Sequence, residues 1–264
     1  MLTFALNHMT VPSLTMKNLG DLARSLGMSG IELCNDLAQR LFDGQTPVAG
    51  MTDGMTVIAL AEVKAFNAFD DATFERSVVL MDLAVACGAK AIALIPQVGG
   101  YAVSHDGLRA AMVALGPELA LRGLTGLIEP IGFHNSTLRD KSDVVAVIDG
   151  TGLGDQFGLI HDTFHHFLAE GDAIYPEHTK LVHISGVNDA NVDLAHVKDA
   201  NRVLVDGNDR LGNIAQITEL LRGGYVGPLS FEAFSPNVHA LIDPKAGLSR
   251  SIHFIENEIL AHAA

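Results

Sequence analysis

Four polar residues lie at or near the ends of four apolar runs in the second half of the sequence. The runs GLIEP, LIHDTF, KLVHIS and PLSFEAF contain, in that order, Glu129, Asp162, His183 and Glu232. If these runs are strands, each delivers one carboxylate or imidazole to its own end. Converging carboxylates repel one another, and a divalent cation removes that repulsion. Three oxygen donors and one nitrogen predict a site for one Mn²⁺, with Mg²⁺, Co²⁺ or Zn²⁺ as alternatives.

His165 follows Asp162 by three residues in the stretch DTFHH. This spacing is short enough to bring the imidazole to the same cluster, so we predict a contact with substrate or with a ligand residue. Its neighbours His161 and His166 are predicted to be structural. Glu32, inside another apolar run, is equally compatible with a lumen site and with a structural role.

The elements that must position these residues alternate along the whole chain. Eight apolar strand-like runs are each followed by a helical or helix-like stretch. The runs are continuous, which is typical of parallel strands buried on both faces. Eight such units in about 250 residues predict one α/β domain over residues 1–264, a (β/α)8 TIM barrel. A doubly wound open sheet is the alternative, weakened because no Gly-rich turn follows the first run.

Active sites of such barrels lie at the carboxyl ends of the strands, where the four polar residues are placed. The gap between His183 and Glu232 exceeds one βα unit and predicts a long loop over the site, from Ser185 to Gly212. A Gly-rich loop is predicted for Asp43 to Met55, and a last helix for Leu241 to Ala261. The predicted strands are Leu2–Asn7, Ile31–Cys34, Thr56–Val63, Ala91–Ile95, Leu124–Glu129, Phe157–Asp162, Leu181–Ile184 and Leu229–Glu232.

Composition excludes several classes of function. The net charge of −14 argues against nucleic-acid binding, which depends on Lys and Arg contacts to phosphate. No apolar run approaches the roughly 18 residues that span a bilayer, and the N-terminus does not resemble a signal sequence. Cys34 and Cys87 are predicted to be reduced core residues, which indicates a cytoplasmic protein. No nucleophile elbow, P-loop or Gly-rich phosphate cradle is found, which favours an unphosphorylated substrate. A homo-oligomer is compatible with the sequence.

Several stretches resemble the xylose isomerase-like barrel superfamily of sugar isomerases and epimerases. They are IALAEVKAFN, LIEPIGFHNSTL, DTFHH and NRVLVDGNDRLGNIAQITELLRGGYVGPLSFEAFSP. Within the superfamily the sequence is most similar to the inosose isomerase (2-keto-myo-inositol isomerase) branch. The resemblance implies that the same four residues are metal ligands and that His165 and Arg202 contact substrate hydroxyls. Ketose 3-epimerases carry an arginine a few residues after the metal histidine, where this sequence reads GVNDAN. This difference argues against the epimerase branch.

The resemblance implies a metal-dependent isomerase that interconverts 2-keto-myo-inositol and a keto-chiro-inositol through an enediolate. Glu129 and Glu232 are the candidate bases, and the order in which they act is open. Inosose dehydratase, hydroxypyruvate isomerase and another ketose isomerase or epimerase are alternatives from the same superfamily. A non-catalytic barrel that binds a polyol or a partner protein is the alternative from another class.

Overall fold

The chain folds into a closed barrel of parallel strands. The computed structural model describes residues 2–35, 37, 52, 54–100, 103, 105–171 and 173–263. Within these ranges eight strands pair in chain order, and the last pairs with the first. The strands are β1 Phe4–Asn7, β2 Gly30–Cys34, β3 Val57–Lys64, β4 Ala91–Ile95, β5 Thr125–Ile128, β6 Phe157–Asp162, β7 Thr179–Ile184 and β8 Leu229–Phe231. The predicted TIM barrel is therefore confirmed.

Helices surround the barrel, as the alternating pattern predicted. The predicted loop from Asp43 to Met55 lies outside the described residues, apart from Thr52, Gly54 and Met55. No helix in the described part of the chain is long and apolar enough to cross a membrane. The helices are α1 Met16–Ser25, α2 Asp71–Cys87, α3 His105–Arg122, α4 Lys141–Thr151, α5 Thr163–Ala169, α6 Asn213–Arg222, α7 Pro236–His239 and α8 Pro244–Ala263.

The last helix begins later than the apolar pattern predicted. Leu241 lies before α8, because Asp243 accepts a hydrogen bond from the backbone N–H of Ala246 and Pro244 occupies the first turn. A carboxylate before the first turn and a proline within it are both strong helix-start signals. The preceding apolar residues Val238 and Leu241 belong to the short helix α7 and the turn after it.

The barrel lumen is filled in layers. An apolar cluster, separate from the main core between strands and helices, contains Leu127, Ile160 and Leu181. Side chains on one face of a strand recur every second residue. Two positions further along the chain from these residues are Glu129, just after β5, Asp162 on β6 and His183 on β7. The lumen therefore has an apolar floor with a polar layer directly above it, at the carboxyl end of the barrel.

A long connection joins β7 to α6 across residues 185–212. It contains two 3₁₀ turns, Leu194–His196 and Asp199–Asn201, and an antiparallel bridge between Gly186 and Val203. Its buried side chains form a small apolar cluster with Phe164 of α5. This packing explains how one of its residues, Arg202, reaches the interior with only 1% of its surface exposed.

Candidate metal centre

Four adjacent strands bring the predicted ligands together. Asp162 and His183 are direct register partners on β6 and β7, while Glu129 and Glu232 follow β5 and β8 by one residue. One donor atom from each of the four residues lies within 4.8 Å of every other. Donors on opposite sides of a single cation are about 4.3 Å apart when each bond is about 2.1–2.2 Å long. The cluster thus has nearly the dimensions that one divalent ion requires.

The His183 ring shows that a cation fits here. Its Nδ1 atom is buried and has no hydrogen-bond partner among the described residues. Carboxylate oxygens of Glu232, Glu129 and Asp162 nevertheless lie 3.2, 3.7 and 3.9 Å from it. A buried ring nitrogen facing three carboxylates without a hydrogen bond is the donor set that Mn²⁺ or Zn²⁺ binds.

Arg202 contacts two of these carboxylates. Its Nη2 lies 2.5 Å from Asp162 Oδ2 and 2.8 Å from Glu232 Oε2, and its Nε donates to Ser185 Oγ at 2.9 Å. The guanidinium lies over the rings of Phe164 and Phe234, 5.0 and 4.6 Å from their centroids. The structure therefore places Arg202 against the ligand cluster, where it balances part of the negative charge.

His165 lies at the same centre, held by aromatic contacts. Phe133 and Phe164 pack against its ring in T-shaped contacts, with centroids 5.2 Å away in both cases. Its Nε2 is 3.9 Å from Glu129 Oε1, and its Nδ1 has no partner among the described residues. Because burial lowers its pKa to about 4, the ring is neutral at pH 7. A neutral imidazole has one donor and one acceptor nitrogen, so it can form a hydrogen bond with a hydroxyl group in either direction.

The protein environment separates the pKa values of two carboxyls of the cluster, Glu129 and Asp162. Burial, followed by the nearby charges of Glu232 and Asp162, raises the pKa of Glu129 to about 8, against the opposing influence of His183. Burial acts in the same direction on Asp162, but the charge of Arg202, together with that of His183, outweighs it and lowers the pKa of that carboxyl. Asp162 is therefore held ionised, while Glu129 is poised to take up a proton near neutral pH.

Two further polar residues support the cluster, and sequence reasoning did not assign them to it. Asn7 donates from Nδ2 to Glu232 Oε1 at 3.0 Å, and Glu32 lies 3.0 Å from Nε2 of His183. The only signal for Glu32 was a charged residue inside an otherwise apolar run, and Asn7 carried none beyond its place at a strand end. Both lie on the first two strands, on the far side of the barrel from β6.

The other two histidines of β6 and α5 point away from the cluster. His161 lies 2.9 Å from Gln216 Oε1 through its Nε2, and His166 lies 2.8 Å from Lys141 Nζ through its Nδ1. Burial lowers the pKa of His166 to about 4, and burial likewise lowers that of His161. The structure therefore places both residues where a structural role was predicted.

Comparison with known proteins agrees with the barrel fold. The sequence model of the xylose isomerase-like TIM barrel family matches residues 21–258. A xylose isomerase domain-containing protein from Salmonella typhimurium LT2 has 26% sequence identity and a TM-score of 0.87 over 97% of each chain. No curated protein sequence gives a significant match.

Two more distant structures share the fold. The IOLI protein, in a structure with a bound zinc atom, has 16% identity and a TM-score of 0.82, covering 98% of this chain and 99% of its own. A D-allulose 3-epimerase from Methylomonas sp., in complex with D-allulose, has 17% identity and a TM-score of 0.71 over 97% of each chain.

Proposed function

The chain belongs to the xylose isomerase-like TIM barrel family, and we propose that it is a metal-dependent isomerase of a small unphosphorylated polyol ketone. The observation that carries this proposal is the buried Nδ1 of His183, which faces three carboxylates without a hydrogen bond. The ligands in this proposal are Glu129, Asp162, His183 and Glu232. A bound divalent cation would supply positive charge to the oxygens of an enediolate.

Mn²⁺ is our first choice of metal because three of the four donors are carboxylate oxygens. Zn²⁺ is the main alternative: it accepts the same donors, and the IOLI structure holds zinc. Mg²⁺ and Co²⁺ remain further candidates for the same donor set.

Glu129 and Glu232 are the proposed bases, and their surroundings differ. Each oxygen of Glu232 accepts a hydrogen bond, Oε1 from Asn7 and Oε2 from Arg202. The two imidazoles beside Glu129, His183 and His165, lie 3.7 and 3.9 Å from its oxygens, beyond hydrogen-bonding distance. The less restrained carboxylate is better able to turn toward a substrate carbon. We therefore propose that Glu129 both removes the proton and returns it to the neighbouring carbon, with Glu232 as the alternative base.

The reaction moves hydrogen within the substrate without a net redox change. Glu129 removes the proton from the carbon that bears a hydroxyl, and the electron pair forms the enediolate double bond. Glu129, which now carries that proton, returns it to the former carbonyl carbon, while the hydroxyl proton moves between the two oxygens. In this proposal His165, as a neutral ring, and Arg202 hold substrate hydroxyls during both steps.

The proposed substrate is 2-keto-myo-inositol, with a keto-chiro-inositol as product. The sequence resemblance to inosose isomerases supports this choice, and the zinc-bearing IOLI protein shares the fold. The absence of a phosphate cradle in the sequence supports an unphosphorylated ketone. Inosose dehydration is the competing outcome, because it begins with the same proton abstraction.

Incubation with 2-keto-myo-inositol and Mn²⁺ in D₂O tests the reaction. We expect a product with the formula of the substrate apart from deuterium exchange, detected by mass spectrometry. A product lighter by about one water, with ultraviolet absorbance from a conjugated system, would show that the protein is a dehydratase and not an isomerase. If the substrate is unconsumed while metal binds, the assignment to this ketone is wrong, and a panel of ketoses becomes the next assay.

Substitution of the ligands tests the metal site separately. His183→Ala and Asp162→Ala should each abolish stoichiometric metal in elemental analysis of protein loaded with Mn²⁺ and dialysed. His161→Ala is the matched control, since it removes a buried imidazole next to Asp162 that faces Gln216 instead. Full metal content in both ligand variants would refute the assignment.

Three broader assignments complete the proposal. We propose that residues 1–264 form this single domain and that the enzyme works in the cytoplasm, without nucleic-acid or membrane partners. The negative charge and the burial of Cys34 and Cys87 support this setting. Homo-oligomerisation stays a prediction.

A further inference from the structure

One buried carboxylate contacts the metal centre from the opposite side of the barrel. Glu32, on β2, is 2% exposed, and its Oε2 lies 3.0 Å from Nε2 of His183 on β7. Three strand-to-strand pairings around the barrel separate β7 from β2, so the contact crosses the lumen. Glu32 lies on the side of the His183 ring away from the other three carboxylates, which face Nδ1.

This contact determines which ring nitrogen carries the proton. A neutral imidazole has one N–H donor and one nitrogen lone pair. A carboxylate can only accept, so the nitrogen beside Glu32 must be the donor. In its neutral form, the form that can bind a cation, His183 therefore carries its hydrogen on Nε2 and keeps the lone pair on Nδ1, the atom that has no hydrogen-bond partner among the described residues.

Glu32 is itself fixed in place. Ser230 on β8 donates from its Oγ to Oε1, while Oε2 receives the Nε2–H of His183. His183 and Ser230 are register partners on β7 and β8. The carboxylate thus bridges two side chains of adjacent strands, and neither of its oxygens is left to contact the cation cluster.

We propose that Glu32 is a positioning residue that fixes the His183 ring and its tautomer so that Nδ1 is presented to a divalent cation. This inference rests on the metal site of the proposed function. Outer partners of this kind raise the basicity of a ligand histidine, and their loss costs about 10–100-fold in metal affinity. Glu32 contributes to metal affinity through His183 and does not bind the ion itself.

Titration calorimetry of the metal-stripped protein with Mn²⁺ and with Zn²⁺ tests the proposal. Glu32→Ala should weaken metal binding about 10–100-fold. Glu32→Gln should recover part of that loss, because the amide oxygen can still accept from Nε2 while the amide N–H₂ donates to Ser230 Oγ. A role confined to packing would change the free energy of unfolding and leave the metal Kd unaltered. A role confined to negative charge would make Glu32→Gln bind metal as weakly as Glu32→Ala. Either result would overturn the positioning role.

Two further variants keep the test decisive. Ser230→Ala removes only the donor that orients Glu32, so it should weaken metal binding by a smaller factor even if Glu32→Ala fails to fold. Gln216→Ala is the matched control, since it removes the partner of another buried imidazole, His161, and should leave the metal Kd unchanged.

The outcomes separate this inference from the proposed function. Wild-type protein that binds neither metal would overturn the metal site and the inference with it. Wild-type protein that binds metal, with unchanged Kd in the Glu32 and Ser230 variants, would overturn the role of Glu32 alone.

Discussion

Three buried carboxylates and one buried guanidinium share the centre of the barrel mouth. Arg202 contacts Asp162 and Glu232 directly, whereas Glu129 lies outside its hydrogen-bonding reach. Burial raises the pKa of both carboxyls, and Arg202 outweighs it only at Asp162, so the pKa of Asp162 falls while that of Glu129 rises to about 8. At the scale of residues, the protonation state of each carboxylate depends on whether Arg202 contacts it.

Metal affinity should weaken as the pH falls. Burial lowers the pKa of His183, but the charges of Glu232 and Glu32 outweigh it and raise that pKa well above 6.5. In the metal-free protein both ring nitrogens therefore carry a proton at neutral pH. Binding a cation through Nδ1 must release the proton on that nitrogen. Below this pKa, we expect about a tenfold loss of affinity per pH unit for one competing proton.

Calorimetric titrations with Zn²⁺ at several pH values, in buffers of different ionisation enthalpy, measure both the affinity and the protons released. The control variant is His178→Ala. His178 pairs with Asp149 outside the cluster, so this variant should keep the same pH dependence. An affinity independent of pH would contradict the assignment of His183.

Arg202→Met should lower kcat/KM while the protein remains folded. Methionine keeps an unbranched apolar chain against Phe164 and Phe234 but removes the guanidinium. Loss of a hydrogen bond from a charged group is worth about 1.5–3 kcal/mol, or about 10- to 150-fold in rate. Steady-state kinetics with the identified ketone measure the effect, and the exposed Arg222→Met on α6 is the control. Equal kcat/KM in the two variants would show that Arg202 does not contribute to substrate binding or catalysis.

At the scale of elements, α5 and the loop after β5 must pack closely to hold His165 beside Glu129. Gly132 lies in that loop, against the backbone of α5. A Cβ at this position would meet His165 O at 2.1 Å, Leu168 Cβ at 2.8 Å and Ala169 N at 2.9 Å. Two of these three atoms are backbone, so they cannot move without displacing the helix. The site therefore depends on a contact that only glycine permits.

Gly132→Ala should destabilise the protein and weaken catalysis together. Overpacking of this kind costs about 1–3 kcal/mol, and displacement of α5 would shift His165. Gly150→Ala is the matched control: inside α4 its Cβ would meet only Arg109 Nη1, at 3.9 Å. That change should be neutral or stabilise by about 0.5–1 kcal/mol, because alanine favours the helix. Urea unfolding measures both variants, and equal stabilities would contradict the packing argument.

At the scale of the whole molecule, the proposed cation joins β5, β6, β7 and β8, which form half of the barrel. A ligand that binds only the folded barrel must stabilise it by mass action. With the free metal at 100 times its Kd, the stabilisation is about 2.7 kcal/mol. For a chain of this size that corresponds to a rise in Tm of about 5–10 °C.

Thermal unfolding of metal-stripped protein, with and without Mn²⁺ or Zn²⁺, tests this coupling. The His183→Ala variant should show no rise in Tm under the same conditions. A rise of equal size in that variant would show that the metal binds elsewhere, and no rise in the wild type would argue against the site.

The sequence by itself determined the architecture and which strand ends carry the candidate ligands. Continuous apolar runs predicted parallel strands, and the carboxyl ends of such strands must meet at one face of a barrel. Glu129, Asp162, His183 and Glu232 could therefore be grouped without coordinates. The apolar pattern did not predict helix boundaries that depend on a local cap. The start of α8, set by Asp243 and Pro244, is the example.

Only the tertiary structure decided what surrounds those ligands. Glu32 and His183 are 151 positions apart, and Asn7 and Glu232 are 225 apart. Periodicity predicts which face of its own strand a side chain occupies. It does not predict which side chain lies opposite, because that depends on the register of all eight strands and on barrel closure. The partners of Arg202 depend further on how the long connection folds over α5, and no local pattern specifies that packing.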